Sequence, residues 1–362
     1  MKLAVLPGDG IGPEIMAEAL RVLDYIVDDE DLDVEMESGP LGAQAYLDYG
    51  DPFPDCTKAI CDSADAILKG PVGLAHNETQ KIPLELRPER GAILPLRKRY
   101  DTYANYRPVR LSPEMKQFSP LKNELLEEGI DFVIVRELVG GLYFGEKSQG
   151  INRDGLRYVC ETLEYDEAQI RRVVVAAFDL ASGRRGRLHN IHKSNVLLSS
   201  ELWNEVVQDI HQDYPNVEVV HMLVDAAATA MCLDPCQFDV MVMENMFGDI
   251  LSDQAGGILG SLGLMPSACV GNNKSYFEPS HGSAPDLCGQ NVANPYSMIG
   301  SLALMFHVAM DREDLADRVW SALFRVLERG TVTQDLALHC SSLNVVTTSE
   351  FGSSVLKELA KQ

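Results

Sequence analysis

Asp249 and Asp253 stand four residues apart in "MENMFGDILSDQAGGILGSLGL" (243–264), in otherwise apolar surroundings. That spacing puts both carboxylates on one face of a helix. Like charges there repel by about 0.2–0.5 kcal/mol when exposed and by more when desolvated. A divalent cation turns the repulsion into attraction, and carboxylates with water and substrate oxygens are ligands that suit Mg²⁺ or Mn²⁺. Asp225 has the same context, at the point where "NVEVVHMLVDAAATAM" passes from a strand into a helix. The competing reading makes Asp225 and Asp249 helix N-caps and Asp253 a solvated helix residue. Residues 87–110, "RPERGAILPLRKRYDTYANYRPVR", hold seven bases (Arg87, Arg90, Arg97, Lys98, Arg99, Arg107, Arg110) and two acids, a local balance of +5. In a chain of net charge −23 this segment suits a small anion, against the alternative of an ordinary basic helix face.

The elements that must position these residues alternate along the chain. "KLAVLP", "DAILKG", "DFVIVRE", "NVEVVHML" and "FDVMVME" read as strands. "GPEIMAEALRVLDYIVDD" reads as a helix with Pro13 in its first turn. Further helices are expected near 166–181, 201–213, 225–232 and 249–261, and the C-terminal third is mostly helical. In this reading "NMFG" turns, the helix starts at Asp249, and the macrodipole favours the acid there. Strand–helix alternation implies an α/β fold with much parallel sheet. Ligand sites in open α/β sheets gather at the carboxyl ends of strands, which is where Asp225, Asp249 and Asp253 fall.

"LPGDGIGPE" (6–14) is not a dinucleotide fingerprint, because its spacing is G-x-G-x-G and no acid ends a second strand at the usual distance. Its glycines suit a tight strand-to-helix turn whose backbone lies close to something bound. The acidity, with eight acids and no base in residues 24–37, argues against nucleic acid and anionic membranes as partners. No apolar run is long enough to span a membrane, and the N-terminus lacks a signal-peptide pattern, so a cytoplasmic location is expected. Eight scattered cysteines, with "CLDPC" at the wrong spacing for a zinc or redox motif, are expected to be reduced thiols.

Taken in order, "LPGDGIGPE", the basic segment, "VRELVGGLYFGE", "HKSNVL", "ENMFGDILSDQAG" with "GSLGLMPSA", and "FEPSHGSAPDLCGQNVANP" give the chain its resemblance. It resembles the metal-dependent β-decarboxylating dehydrogenases of 2-hydroxy acids, the isocitrate/isopropylmalate dehydrogenase family, over nearly its whole length. The resemblance implies two α/β domains sharing a large mixed sheet, with a non-Rossmann cofactor site. It divides the chain into residues 1–103 plus 260–362, which bind cofactor, and 104–259, which hold substrate, metal and the dimer interface, with an arm near 140–165. It implies a homodimer with shared active sites.

By the same resemblance, Arg97, Arg107 and Arg136 bind the substrate carboxylates, for which the planar guanidinium fork is suited. Asp249 and Asp253 are metal ligands from one subunit, and Asp225 is a ligand from the other. Lys193 deprotonates the substrate hydroxyl, and Tyr143 protonates the carbanion centre after CO₂ leaves; a surface lysine and a packed aromatic are the plainer alternatives. Glu89 lies near the nicotinamide, and Glu278, His281, Gly282, Ser283, Ala284, Pro285, Asp286 and Asn294 belong to the cofactor loop and its approach. Asp286 is expected to accept hydrogen bonds from the ribose hydroxyls, favouring NAD⁺ over NADP⁺. Ile93 and Leu94, with Val196 opposite, form an apolar wall that suits the isopropyl group of 3-isopropylmalate. The reaction so implied yields 2-oxoisocaproate, in leucine biosynthesis. Two features point elsewhere: His192 before the lysine and "LKGPVG" (68–73) look more like isocitrate and homoisocitrate relatives. Tartrate and D-malate relatives also have an apolar wall, and a non-catalytic regulatory subunit is the alternative of another class, though Tyr143, Lys193, Asp225, Asp249 and Asp253 are all in place.

Overall fold

Twelve of the fourteen strands among the described residues organise the chain: β1 (Lys2–Leu6), β2 (Glu35–Ser38), β3 (Ala66–Lys69), β4 (Ala104–Leu111), β5 (Ile130–Glu137), β6 (Lys147–Ile151), β7 (Arg157–Glu161), β8 (Arg187–His192), β9 (Glu218–Leu223), β10 (Val240–Met243), β11 (Pro266–Val270) and β12 (Ser275–Pro279). The computed structural model describes residues 1–339 and 343–362. Ten of these strands form one sheet, ordered β2-β1-β3-β12-β11-β4-β5-β10-β8-β9. Pairing is parallel except where β11 meets β12 and β4, and where β4 meets β5. The sheet is therefore mixed, and the chain enters its centre twice: β4 and β5 come from the middle of the sequence, β11 and β12 from the last third.

Period-two alternation explains how strands with continuous apolar runs are covered on both faces. Leu3 and Val5 join a core with Ile15, Ala19 and Phe306, from helices Gly12–Glu30 and Tyr296–Met310. Ala4 and Leu6 join another with Phe53 and Leu96. In the middle of the sequence, Val133, Val135, Val240 and Val242 pack with Val173, Phe178 and Trp203 of helices Glu167–Ser182 and Leu198–His211. No helix among the described residues is long and apolar enough to cross a membrane.

Two local expectations shift. The helix bearing the paired acids runs Asn245–Leu259, one turn earlier than its Asn and Gly suggest. Glu244 is its N-cap, accepting from the amides of Phe247 (3.1 Å) and Met246 (3.2 Å), so Asp249 lies in the second turn. Likewise Leu223, not Asp225, is the N-cap of helix Val224–Leu233. β6 and β7 make an antiparallel hairpin with Ile151, Leu156 and Val159 64–71% exposed. The seven cysteines among the described residues are free thiols, and Cys340 lies outside the described residues.

Candidate active site

The register of the central strands brings the chemistry together. Arg136, near the end of β5, pairs across to Asn105 of β4 on one side and Met243 of β10 on the other. Because β10 ends there and the Asn245–Leu259 helix begins, the guanidinium meets that helix directly. Arg136 donates to Asn245 Oδ1 (2.7 Å from Nη2) and to Asp249 Oδ1. Arg107 lies two residues beyond Asn105, hence on the same face of β4. Its Nε donates to Asn105 Oδ1 (2.8 Å), and its Nη1 to Ser252 Oγ (2.6 Å) and Asp253 Oδ1 (3.4 Å). Arg97, on helix Leu94–Tyr100, donates to the Tyr276 hydroxyl of β12 at 3.2 Å. Tyr143 completes the group, its hydroxyl donating to Asp249 Oδ2 at 2.8 Å and its ring 5.8 Å from the Arg136 guanidinium.

Together they border a cleft of ≈ 580 Å³ that Arg97, Arg107, Arg136, Tyr143, Asp249, Glu89, Ile93 and Leu94 line. The basic segment is thus not one patch. Arg97 and Arg107 turn inward, whereas Arg99 pairs with Asp62 and Arg110 lies over the Trp320 ring. Burial, with Arg97 alongside, pulls the Arg136 guanidinium down to about 10, and the Asp249 carboxylate opposes this, so it stays cationic near neutrality. Burial would raise the Asp249 carboxyl, but Arg136 and Arg107 outweigh it and hold the group below its ordinary value. Asp253 goes the other way, raised by burial and by the Asp249 charge against the pull of Arg107. Burial and the bond to Asp249 push the Tyr143 hydroxyl up to about 12, which keeps its proton in place for donation.

Gly248 sets the Arg136 position by absence of a side chain. A Cβ there would collide with the Arg136 side chain. Gly248→Ala is expected to displace the guanidinium and weaken a charge-assisted contact worth about 1.5–3 kcal/mol, raising KM for an anionic substrate about 10–100-fold. Steady-state kinetics on the folded variant would show it, and an unchanged KM would mean that Arg136 does not bind substrate.

The cleft floor holds residues that sequence reasoning missed. Lys69, at the end of β3, is 1% exposed and forms an ion pair with Glu278 (2.5 Å), while also donating to Gly70 O (2.9 Å). The Glu278 carboxyl, raised by burial, is nonetheless held below its ordinary value by Lys69 and Arg97. Glu278 is therefore a buried ion-pair partner at the cleft wall. Arg90 also lines the cleft. The available signal was positional: Lys69 is the last residue of an apolar run, at a strand carboxyl end.

The glycine-rich turn near the N-terminus meets the 281–284 turn. Gly10 has φ +58°, and a Cβ on it would strike Ser283 O. Ile11 N donates to Ser283 O (2.8 Å), and Ser283 Oγ to Gly73 O (2.9 Å). Buried Asp9 accepts from the amides of Gly73 (2.8 Å), Ala43 (2.8 Å) and Gln44 (3.0 Å), fixing three segments at once. Beside them a groove of ≈ 650 Å³ is lined by Ile11, Leu262, His281, Gly282, Ala284 and Asn294. His281 and Gly282 line both cleft and groove, so the two adjoin. His281 Nδ1 lies 2.9 Å from Gly282 O, which makes Nδ1 the protonated nitrogen, and burial lowers the ring's pKa. Its Nε2 is thereby a bare acceptor, buried and without a partner among the described residues. Ala284 sits in the left-handed region at φ +37°, a strain concentrated at the groove. Asn294 is turned to Asp335 (3.1 Å) and Tyr296 N (3.0 Å). Asp286 is exposed on the short turn Pro285–Leu287 and does not line the groove.

Four of the residues expected to hold substrate, metal or proton do not line the cleft of their own chain: Asp253, which touches it only through Arg107, and Lys193, Asp225 and Val196. Lys193 Nζ donates to Asp225 Oδ1 at 2.8 Å, a pair whose side chains are 27% and 65% exposed. Val196 is 71% exposed on the turn that follows Lys193. Among the described residues, no group of three His, Cys, Asp or Glu side chains within one chain is placed to hold a metal ion. His192 is buried against His221, with ring centroids 5.8 Å apart.

Comparison with known proteins sets this geometry in a lineage. A family model described as isocitrate/isopropylmalate dehydrogenase matches residues 2–355. The chain is 44% identical over 360 residues to a 3-isopropylmalate dehydrogenase of Neisseria meningitidis, covering 99% of each chain. It is 47% identical over 339 residues to that of Methylococcus capsulatus, covering 93% of each. Among solved structures, the isocitrate dehydrogenase of Methylococcus capsulatus superposes with a TM-score of 0.85 at 30% identity, covering 99% of each chain.

Proposed function

The chain belongs to the isocitrate/isopropylmalate dehydrogenase family and is a decarboxylating dehydrogenase; from that premise we propose that it converts 3-isopropylmalate and NAD⁺ to 4-methyl-2-oxopentanoate (2-oxoisocaproate), CO₂ and NADH, in leucine biosynthesis. The observation that carries the reading is the convergence of Arg97, Arg107 and Arg136 on one cleft, beside Asp249 and Tyr143 and facing Ile93 and Leu94. Two carboxylates need a bidentate cationic grip at one end, and the isopropyl group needs an apolar wall at the other. Burying that group is worth about 1.5–3 kcal/mol. Lys69, the cleft's other buried cation, is already paired with Glu278 and offers no free charge to a third carboxylate. Beside His192 and "LKGPVG", Arg90 favours the alternative, a tricarboxylate such as isocitrate or homoisocitrate: it lines the cleft and, among the described residues, is held only by a 3.4 Å contact with Glu85.

Asp249 at the cleft, with Asp253 one turn on along the same helix face and bonded to Arg107, fits a hard cation that takes one or two protein carboxylates and fills the rest of its shell with water and substrate oxygens. The unpartnered acceptor on His281, in a groove adjoining the cleft, fits the amino group of an adenine ring. When bound, Mg²⁺ or Mn²⁺ supplies a Lewis acid for the hydroxyl and its neighbouring carboxylate, and NAD⁺ supplies the hydride acceptor. The chain's own residues do the rest. Arg97, Arg107 and Arg136 hold the carboxylates, Lys193 takes the hydroxyl proton, and Tyr143 delivers a proton to the carbon that loses CO₂. Asp286 is assigned to the ribose hydroxyls, disfavouring a 2′-phosphate.

Lys193, Asp225 and Val196 reach the cleft in this account from a second copy of the chain. Support comes from the apolar surface left open around it: Ile250, between the two acids, is 59% exposed, Leu233 64%, and the β6–β7 hairpin carries Ile151 and Val159 at 71% each. Large apolar side chains left exposed in this way suit an interface, and homodimers are the commonest closed assembly. We place the hinge between lobes at the β11–β4 seam, which separates residues 1–103 and 260–362 from 104–259. Closing there would exclude water from the hydride transfer.

The test is NADH formation with Mg²⁺ and, in parallel, 3-isopropylmalate, isocitrate, homoisocitrate, tartrate and D-malate. Turnover confined to 3-isopropylmalate, lost with EDTA and poor with NADP⁺, is the expected result. Turnover of a tricarboxylate instead would shift the assignment to Arg90 and away from the apolar wall.

A further inference from the structure

Two buried carboxylates away from the reacting cleft meet across a single hydroxyl. Glu137, at the end of β5, is 0% exposed, and Glu244, the cap of the Asp249 helix, is 6% exposed. Glu137 accepts from the amides of Val139 and Gly140, both at 2.9 Å. Glu244 accepts from Met246 at 3.2 Å and Phe247 at 3.1 Å. Between them stands Tyr165, its hydroxyl oxygen 3.1 Å from Glu137 Oε2 and 3.3 Å from Glu244 Oε2. The same oxygen accepts from Asn245 N at 3.0 Å. The ring is wedged against Gly140 and Gly141, where any Cβ would collide with it, and meets the Trp203 ring edge-on at 5.8 Å.

A phenol has one proton and donates once. With both carboxylates ionised, Tyr165 can satisfy one of them, and its oxygen would face the other lone pair to lone pair inside the protein. That arrangement is costly where water cannot intervene. The cations facing the pair are Arg172 on the Glu137 side and Arg136 on the Glu244 side. Neither donates a hydrogen bond to them: Arg172 is bonded to Asp101, and Arg136 to Asn245 and Asp249. One added proton resolves the count. If Glu244 carries it, Glu244 donates to the Tyr165 oxygen, Tyr165 donates to Glu137, and Asn245 N–H fills the second lone pair. The longer amide contacts of Glu244 mark it as the weaker acceptor of the two, and hence the proton's place.

We infer that Glu137, Tyr165 and Glu244 form a buried hydrogen-bond relay closed by one proton on Glu244, and that it positions the two halves of the catalytic group. One end of the relay pins Val139 and Gly140, which lead into Tyr143. The other pins Glu244 and Asn245, which open the helix carrying Asp249. The positioning role rests on the reading of Tyr143 and Asp249 given above; the proton does not.

Infrared spectra of the full-length protein in D₂O near neutral pH test the proton without substrate. The expected result is a carboxylic-acid carbonyl band in the wild type that is missing from Glu244→Gln. A wild-type spectrum lacking the band, or one in which it survives Glu244→Gln, overturns the inference. For positioning, Tyr165→Phe keeps the ring and its packing but cuts the relay. Its kcat is expected to fall about 10–100-fold with KM changed less than about threefold, as displaced reacting groups require. A folded Tyr165→Phe with wild-type kcat would overturn the positioning role even if the band is found.

Discussion

Lys193→Ala should lower kcat about 10²–10⁴-fold, the range for losing a positioned proton acceptor, and leave the melting temperature nearly unchanged. The two halves of that expectation have different sources. In its own chain Lys193 is a surface residue paired with Asp225, both side chains partly open to water. Pairs of that kind contribute about 0–1 kcal/mol to stability, so the fold has little to lose. The pair is nevertheless presented beside an open apolar surface, with Val196 outward on the next turn. Placed against the cleft of a second copy, the lysine would be desolvated and close to the metal's charge. KM for substrate should change less than kcat, because the proposed function gives the carboxylates to arginines of the other chain. A variant with wild-type kcat would remove Lys193 from the mechanism.

Lys69→Met carries the largest expected stability effect, about 3–5 kcal/mol at neutral pH, the cost of stranding one member of a buried ion pair. Glu278 would keep Arg97 and Arg107 near it, with no hydrogen-bonded cation of its own. The pH dependence follows from the direction of its shift. In the wild type the Glu278 carboxyl is held low, so its contribution to stability is present above the ordinary carboxylate value and is lost on acidification through the lower folded value. Without Lys69, burial dominates and raises the carboxyl. The variant should then be least stable at neutral pH and recover relative to wild type as the pH falls and Glu278 takes up a proton. Thermal melts across the acid range would show the two curves converging. Parallel curves would mean that the Lys69–Glu278 pair is not the source of the difference.

The parts of the site legible in the sequence were those with local signatures. Asp249 and Asp253 announce themselves because two acids interrupt an apolar helix at a spacing that shares a face. The parallel strands were legible because burial on both faces leaves continuous apolar runs, as in "DFVIVRE" and "FDVMVME". β4 was hidden because Pro108 and two arginines break its alternation, and because it lies inside a basic segment that reads as one surface. The helix start at Asn245 was missed because its cap is Glu244, a residue type uncommon in that position, and Asn and Gly imitate a turn. Pairings such as Lys69 with Glu278 leave no periodic trace at all, since the register of β3 and β12 creates them. The proposed role of Lys193 came from resemblance alone, and that of Asp225 from its strand-to-helix junction together with resemblance, since within one chain both lie away from the cleft.

Subunit complementation tests the central claim, a reaction carried out by residues of two copies, most directly. Lys193→Ala and Tyr143→Phe would each be nearly inactive as homodimers. Unfolded together, refolded at equal concentration and assayed with 3-isopropylmalate, NAD⁺ and Mg²⁺, they should regain about a quarter of wild-type activity. Half of randomly paired dimers are mixed, and each mixed dimer holds one site with both residues intact. A mixture no more active than its two components would mean that Lys193 and Tyr143 serve the same chain's site, and the shared active site would be wrong.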